Sequence, residues 1–280
     1  MITIKEYLLS KTKKINIIHA TDDTIHQIVK DELDRLGHDA DLNHIDVSKV
    51  TNMYSLFSVD PKYLEPKYID LNPDISQWDV SNVENMWFMF YNCKNFNQDL
   101  SGWDVRKVKN MESMFCECEN FNQDLSQWDV RNVEDMKDMF KRCKNFNKDL
   151  SRWNVRKVTN MSNMFYNCKN FNQDLSQWDV RNVKIMWSMF KHCEKFDQDL
   201  SQWDVSEVED MESMFDGCKN FNQDLSKWHV DKVKSMKTMF YDCEKFNQNL
   251  SKWNVSEVKD HVNIFYNCPI KEEYKPKFKN

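Results

Sequence analysis

The sequence predicts an α/β solenoid in which each 25-residue repeat contributes one short parallel strand and one short helix. Three observations carry that expectation. First, Trp78, Trp103, Trp128, Trp153, Trp178, Trp203, Trp228 and Trp253 are spaced by 25 residues, and cysteines keep the same interval from Cys93 to Cys268. Second, Leu100, Trp103 and Val105 have the spacing of a very short strand, while Val108, Met111, Met114, Phe115 and Cys118 follow at helical spacing. Third, no such unit can bury its apolar face alone, so neighbouring units must stack.

Taken in chain order, residues 1–41 form an N-terminal segment. Its opening stretch, MITIKEYLLSKTKK, has a short apolar patch broken by Lys5 and Glu6. It has neither the apolar core nor the cleavage site of a secretory signal, which predicts a cytoplasmic location. Between Asp22 and Leu36, the residues Ile25, Ile28, Val29 and Leu33 share one helical face, and Gly37 follows as a stop signal. This helix is expected to cap the first coil. Residues 42–74 are a divergent first repeat, with Leu42, Ile45, Val47, Val50, Met53, Leu56 and Phe57 in the repeat slots. An insertion follows in SVDPKYLEPKYIDLNPD. Eight regular repeats occupy 75–268. In the last of them His261 stands in the column of Met211 and Met236, Ile264 replaces the second Met, and Cys268-Pro269 opens a polar tail, 269–280. Divergent terminal units are what a stacked array requires. A longer period also shows: Met-Glu-Ser-Met-Phe recurs at 111–115 and 211–215, and Trp87 and Trp187 share a slot 100 residues apart. A block of four repeats has been duplicated.

The L-x-x-W-x-V start of each unit resembles the L-x-x-L-x-L core of leucine-rich repeats. The whole unit, LSGWDVRKVKNMESMFCECENFNQD, with FNQDLSQWDV intact at 121–130 and 171–180, resembles the BspA-like short-repeat family of bacterial surface proteins. The resemblance covers residues 42–268. It implies a leucine-rich-repeat-like solenoid with a surface or adhesive role, placed at a surface or on a particle. It brings no catalytic residues.

Composition narrows the function classes. A formal net charge of −6 and pI near 5.7 argue against wholesale attraction to nucleic acid, and no apolar run approaches the ~20 residues of a membrane span. Seven histidines join no Ser, Cys or carboxylate in a catalytic arrangement, and only 3 glycines leave no phosphate-cradling loop. No enzyme activity and no cofactor are therefore expected. A metal needs several ligands converging on one point, which one Cys per coil does not supply, so the cysteines are expected to form a reduced, buried ladder.

Stacking turns each repeat position into a column. The Trp, Val, Met, Phe and Cys columns are expected to point inward. Outward from a concave sheet, Asp104, Asp129 and Asp179 should stand beside Arg106, Arg131, Arg156 and Arg181, with Asn154 leaving Arg156 without the carboxylate its neighbours have. This arrangement reads either as a charge lattice or as an anion-binding or protein-binding patch. On the helical, convex side, Glu84, Lys109, Glu134, Thr159, Lys184, Glu209 and Lys234 mostly alternate in sign, which sets register. Trp87 and Trp187 lie between inward methionines and are candidate lateral contacts. The functional expectation is a non-enzymatic solenoid that binds a protein on its concave face. The alternative is a structural component of a cell surface or virus particle, self-associating through its flanks.

Overall fold

The computed structural model describes residues 17–279. The N-terminal stretch in which no secretory signal is read lies outside the described residues.

The described chain opens with strand β1 (Ile18–His19) and helix α1 (Ile25–Leu36), then strand β2 (Ile45–Asp46), which pairs with β1 in parallel register. α1 buries Ile25, Val29 and Leu33 as its spacing predicts. It ends at Gly37, whose positive φ of 93° suits a residue without Cβ and whose N–H donates to the Leu33 carbonyl.

The repeats are a solenoid, but they are built from tight turns. Two expectations need correcting. No α-helix lies between Leu36 and the end of the described chain, and the parallel ladder between coils does not run through Leu100–Val105. It runs through the segment expected to be helical, with isolated parallel bridges from Asn85 to Asn110, Asp135, Asn160 and onward to Asp260.

One coil shows how this arises. Trp103 N–H donates to the Leu100 carbonyl, Val108 to Val105, Met114 to Met111, Cys118 to Phe115 and Phe121 to Cys118. Each of these i→i+3 turns begins and ends on an apolar residue of the core columns and carries two residues between them. The spacing of Met111, Met114, Phe115 and Cys118 is therefore that of consecutive turns. Ser113 (φ 55°) and Glu117 (φ 67°) have the positive φ that a type II turn requires at its third residue. A helix cannot contain such residues.

Between those turn centres the backbone is free to bond across coils. Met111, Ser113, Phe115 and Glu117 donate N–H to the carbonyls of Asp135, Lys137, Met139 and Lys141 at 2.8–3.2 Å. Lys109 N–H bonds in the opposite direction, to the Glu84 carbonyl at 2.9 Å.

The interior consists of stacked columns. Phe90, Phe115, Phe140, Phe165, Phe190, Phe215 and Phe240 are fully buried, with neighbouring rings near parallel at 5.4–5.8 Å between centroids. Each contributes about 1.5–3 kcal/mol through burial. A second Phe column, including Phe121 and Phe146, packs against the first at 4.1–4.2 Å. The indoles are buried too, and each donates its Nε1–H back one coil: Trp128 to the Leu100 carbonyl and Trp153 to Leu125, at 2.9 and 3.0 Å. Cysteines do likewise, with Cys118 Sγ on the Phe90 carbonyl and Cys143 Sγ on Phe115, both at 2.9 Å. Trp and Cys thus fill the core while answering turn carbonyls that would otherwise lack a second partner.

The first coil is longer. It leaves the ladder after Val59, runs through the 3₁₀ turn Pro66–Tyr68, and rejoins at Asn72, whose N–H meets the His38 carbonyl at 3.0 Å. α1 and the turn before it close this end. The Asp22 carboxylate accepts N–H bonds from Thr51 and Asn52 at 2.7 and 3.0 Å, and His26 Nε2 lies 2.8 Å from the Tyr54 carbonyl.

Candidate functional site

The four arginines stand in one column on consecutive coils, and their side chains are 56–69% exposed. They sit at turns and not on the parallel ladder, so the expected placement on a concave sheet is also corrected. Asp104 shows the local reason. Its Oδ1 accepts the Arg106 backbone N–H at 3.2 Å, which closes an Asx turn between Trp103 and Lys107. Asp129 and Asp179 do the same for Arg131 and Arg181, and Asn154 for Arg156. The acidic column thus has a structural duty at each coil that carries Asp or Asn there, and Asn fulfils it as well as Asp.

The arginine side chains differ in how they are held. Arg106 makes a bidentate pair with Asp104 through Nε at 2.8 Å and Nη2 at 2.6 Å. That hydrogen bonding lowers the Asp104 pKa and raises that of Arg106. Arg131 and Arg181 hold Asp129 and Asp179 through Nε at 2.8 and 2.7 Å. Arg156 has no carboxylate in its own turn, and its nearest is Asp179 of the next coil at 3.9 Å. Its guanidinium therefore keeps most of its donors for another partner.

Beside this column lies a shallow cleft of about 310 Å³ among Arg106, Lys107, Lys109, Lys157, Glu84 and Glu134. The lysines are tethered in part: Lys107 and Lys157 donate to the Asn82 and Asn132 side chains at 2.7 and 2.8 Å, and Lys109 pairs with Glu84 at 2.7 Å. Lys107 and Lys157 were not picked out by the column reading. Their signal is the dipeptide Arg-Lys, which occurs at 106–107 and 156–157 alone among the eight repeats. The alternating Glu/Lys series directly precedes the bridge residues of the ladder and pairs at Glu84–Lys109 and Glu209–Lys234.

The two tryptophans of the shared slot part ways. Trp187 is 42% exposed and lies next to Ile185, which is 38% exposed. Trp87 is half-buried against Tyr54, with ring centroids 4.9 Å apart. The cause is the first coil, whose Tyr54, itself packed against Tyr63, lies over Trp87.

All nine thiols are free, and eight are buried. Burial pushes the Cys116 thiol up to about 12 and raises the fully buried thiols of the column, among them Cys93, Cys118 and Cys143, well above the ordinary cysteine range. Desolvation is the leading cause at each of them. Among the described residues no group of three or more His, Cys, Asp or Glu side chains is placed to hold a metal ion, and no helix is long and apolar enough to cross a membrane.

Residues 31–115, 62–178, 100–202 and 163–276 each match the sequence model of a family described as Mycoplasma protein of unknown function, DUF285. The chain belongs to this family. The four matches overlap and together run from α1 to the closing coil, so DUF285 similarity follows the repeat array itself and not a separate domain. No curated protein matches the chain.

Proposed function

We propose that this DUF285 protein is a non-enzymatic interaction solenoid that takes an acidic protein surface on its arginine column. The observation that carries the reading is Arg156: a well-exposed guanidinium whose own turn holds Asn154 in place of a carboxylate, flanked by three more arginines and by Lys157. Its planar fork suits carboxylates bidentately. The surrounding turns are held by backbone bonds to Asp or Asn, so the arginine side chains can be given to a partner without loosening the coil.

The likeness of the repeat to BspA-like units fits an adhesive or docking role. The free, protonated thiols fit a reducing compartment such as the cytoplasm. A second reading, lateral assembly of solenoids, is favoured by one observation: Ile185 and Trp187 form an exposed apolar pair on the ladder face.

The test is the double variant Arg131→Ser and Arg156→Ser, since Ser81 and Ser206 already occupy that column. Affinity capture from the native source should lose its partner with the double variant, while the unfolding midpoint stays in place. Earlier unfolding with unchanged capture would make the arginines lattice elements only. Light scattering across concentrations tests the second reading, which a strict monomer rules out.

A further inference from the structure

The two ends of the solenoid are not equivalent. At each of the eight boundaries from Asn52–Asn85 to Ser235–Asp260, four N–H groups of one coil donate to four carbonyls of the next. At the final boundary these are Met236, Thr238, Phe240 and Asp242, donating to Asp260, Val262, Ile264 and Tyr266 at 2.8–3.0 Å. The last coil repeats the geometry, and no further coil pairs with it among the described residues. The N–H groups of His261, Asn263, Phe265 and Asn267 have no partner among the described residues, and Asn263 and Asn267 keep the positive φ of their columns.

The described tail gives no hydrogen-bond partner to these four N–H groups. After Cys268-Pro269 the chain crosses to the other side of the coil, where Ile270 is buried and the Tyr274 carbonyl accepts the Leu250 N–H at 2.8 Å. Only Phe278 returns, stacked on the His261 ring. Val262 and Tyr266 are left 58% and 56% exposed, and Phe265, unlike the fully buried phenylalanines of its column, is half-open.

We propose that this C-terminal edge is a docking site for a segment of another polypeptide that folds into the same run of tight turns as the coils and adds as one more parallel rung. The hydrogen-bond polarity defines the occupant. It must offer carbonyls on four alternate residues, give one N–H to the Lys259 carbonyl, as Lys259 itself does to Lys234, and place an apolar side chain over Phe265. A second copy does not meet these needs. Tail to tail, N–H groups would face N–H groups. Head to tail, the acceptor edge of the first coil is closed by α1, with His26 on the Tyr54 carbonyl. Main-chain pairing supplies the attraction, and the exposed Val262, Phe265 and Tyr266 supply contact area.

The probe is a synthetic peptide of residues 209–223, EDMESMFDGCKNFNQ, which carries the acceptor side of one rung, used with the full chain under reducing conditions. Saturable binding should slow amide exchange at His261, Asn263, Phe265 and Asn267 by tenfold or more, and a scrambled peptide should have no such effect. Val262→Lys with Tyr266→Lys should weaken binding at least tenfold by placing charge at the rim. Lysine already stands in both columns, at Lys137 and Lys237 and at Lys141 and Lys191, so this double variant should fold with an unchanged midpoint. Unprotected amides at peptide excess, equal binding by the double variant, or protection of the same amides by self-association without peptide would each overturn the proposal.

Discussion

Gly217 is the only glycine in its column, where the other coils carry Asn92, Glu117, Arg142, Asn167, His192, Asp242 and Asn267 at similar positive φ. The column therefore tolerates a side chain, yet Gly217 should not. A Cβ built there meets His192 Nδ1 of the preceding coil at 2.3 Å and Cε1 at 3.2 Å. For Gly217→Ala, the left-handed backbone (φ 71°) costs about 1–2 kcal/mol, offset by about 0.4–1 kcal/mol from a stiffer unfolded chain. The clash must then be relieved by moving the imidazole, which forfeits its edge contact with Tyr166 (centroids 5.9 Å apart), an aromatic pair of about 0.5–1.5 kcal/mol. The expected loss is about 1–2.5 kcal/mol. In a His192→Ala background only the backbone part remains, about 1 kcal/mol or less. Urea unfolding followed by tryptophan fluorescence measures both. Equal losses in the two backgrounds would refute the steric argument, and no loss in either would refute the left-handed turn itself.

Three further outcomes are expected. Trp153→Phe removes the indole donor from the Leu125 carbonyl, which keeps its bond from Trp128 N–H; stability should fall by about 1–3 kcal/mol from the lost bond and lost volume, and a neutral result in urea unfolding would deny the Trp column its hydrogen-bonding role. The thiols are held protonated by burial, so their contribution is intact below the unfolded-chain value of about 8.5 and is lost as pH rises from there toward the raised folded values, about 12 at Cys116. Unfolding midpoints should accordingly begin to drop above about pH 8.5, and drop less in a Cys143→Ala, Cys168→Ala variant. Nine thiols should titrate in denaturant, with Cys268, the least buried, reacting first in the native protein; recovery of only a few would mean that the column is oxidised.

The repeat period, the inward columns and α1 were legible because they depend only on which residues are apolar and at what interval. The identity of the local structure was not. Met111, Met114, Phe115 and Cys118 satisfy a helical period and a run of four-residue turns equally well, because both place i and i+3 on one side. The residues between decide it. Asn110 accepts the Glu112 N–H at 2.8 Å in an Asx turn, and Asn or Asp recurs in that column at Asn85, Asp135, Asn160, Asp210 and Asp260. Asn163, Asn167, Gly217 and Asn263 mark the positions of positive φ, which such residues adopt most readily. Those polar columns were the available signal for turns. The arginine column was found because its neighbours vary, but its setting at a turn follows from Asx bonding, which alternation alone does not reveal. The open donor edge had no sequence signal, since it arises from where the tail leaves the ladder.

The departure of the first coil between Val59 and Asn72 bears on how such a chain can change length. Each contact between coils recurs at the same repeat positions from coil to coil, so inserting a single residue inside the ladder would displace the columns and turn apolar corners outward. A whole 25-residue coil can be added or lost with every boundary re-forming as before. Other lengths can enter only where the strand has already left the ladder, as it does after Val59, where the extra residues make their own 3₁₀ turn and return in register. The array is thus quantised in reach: its span and the length of its surface columns change in whole coils, while its cross-section stays constant. A duplicated block of four repeats is a natural step on that scale, lengthening the array while the core columns keep their residues.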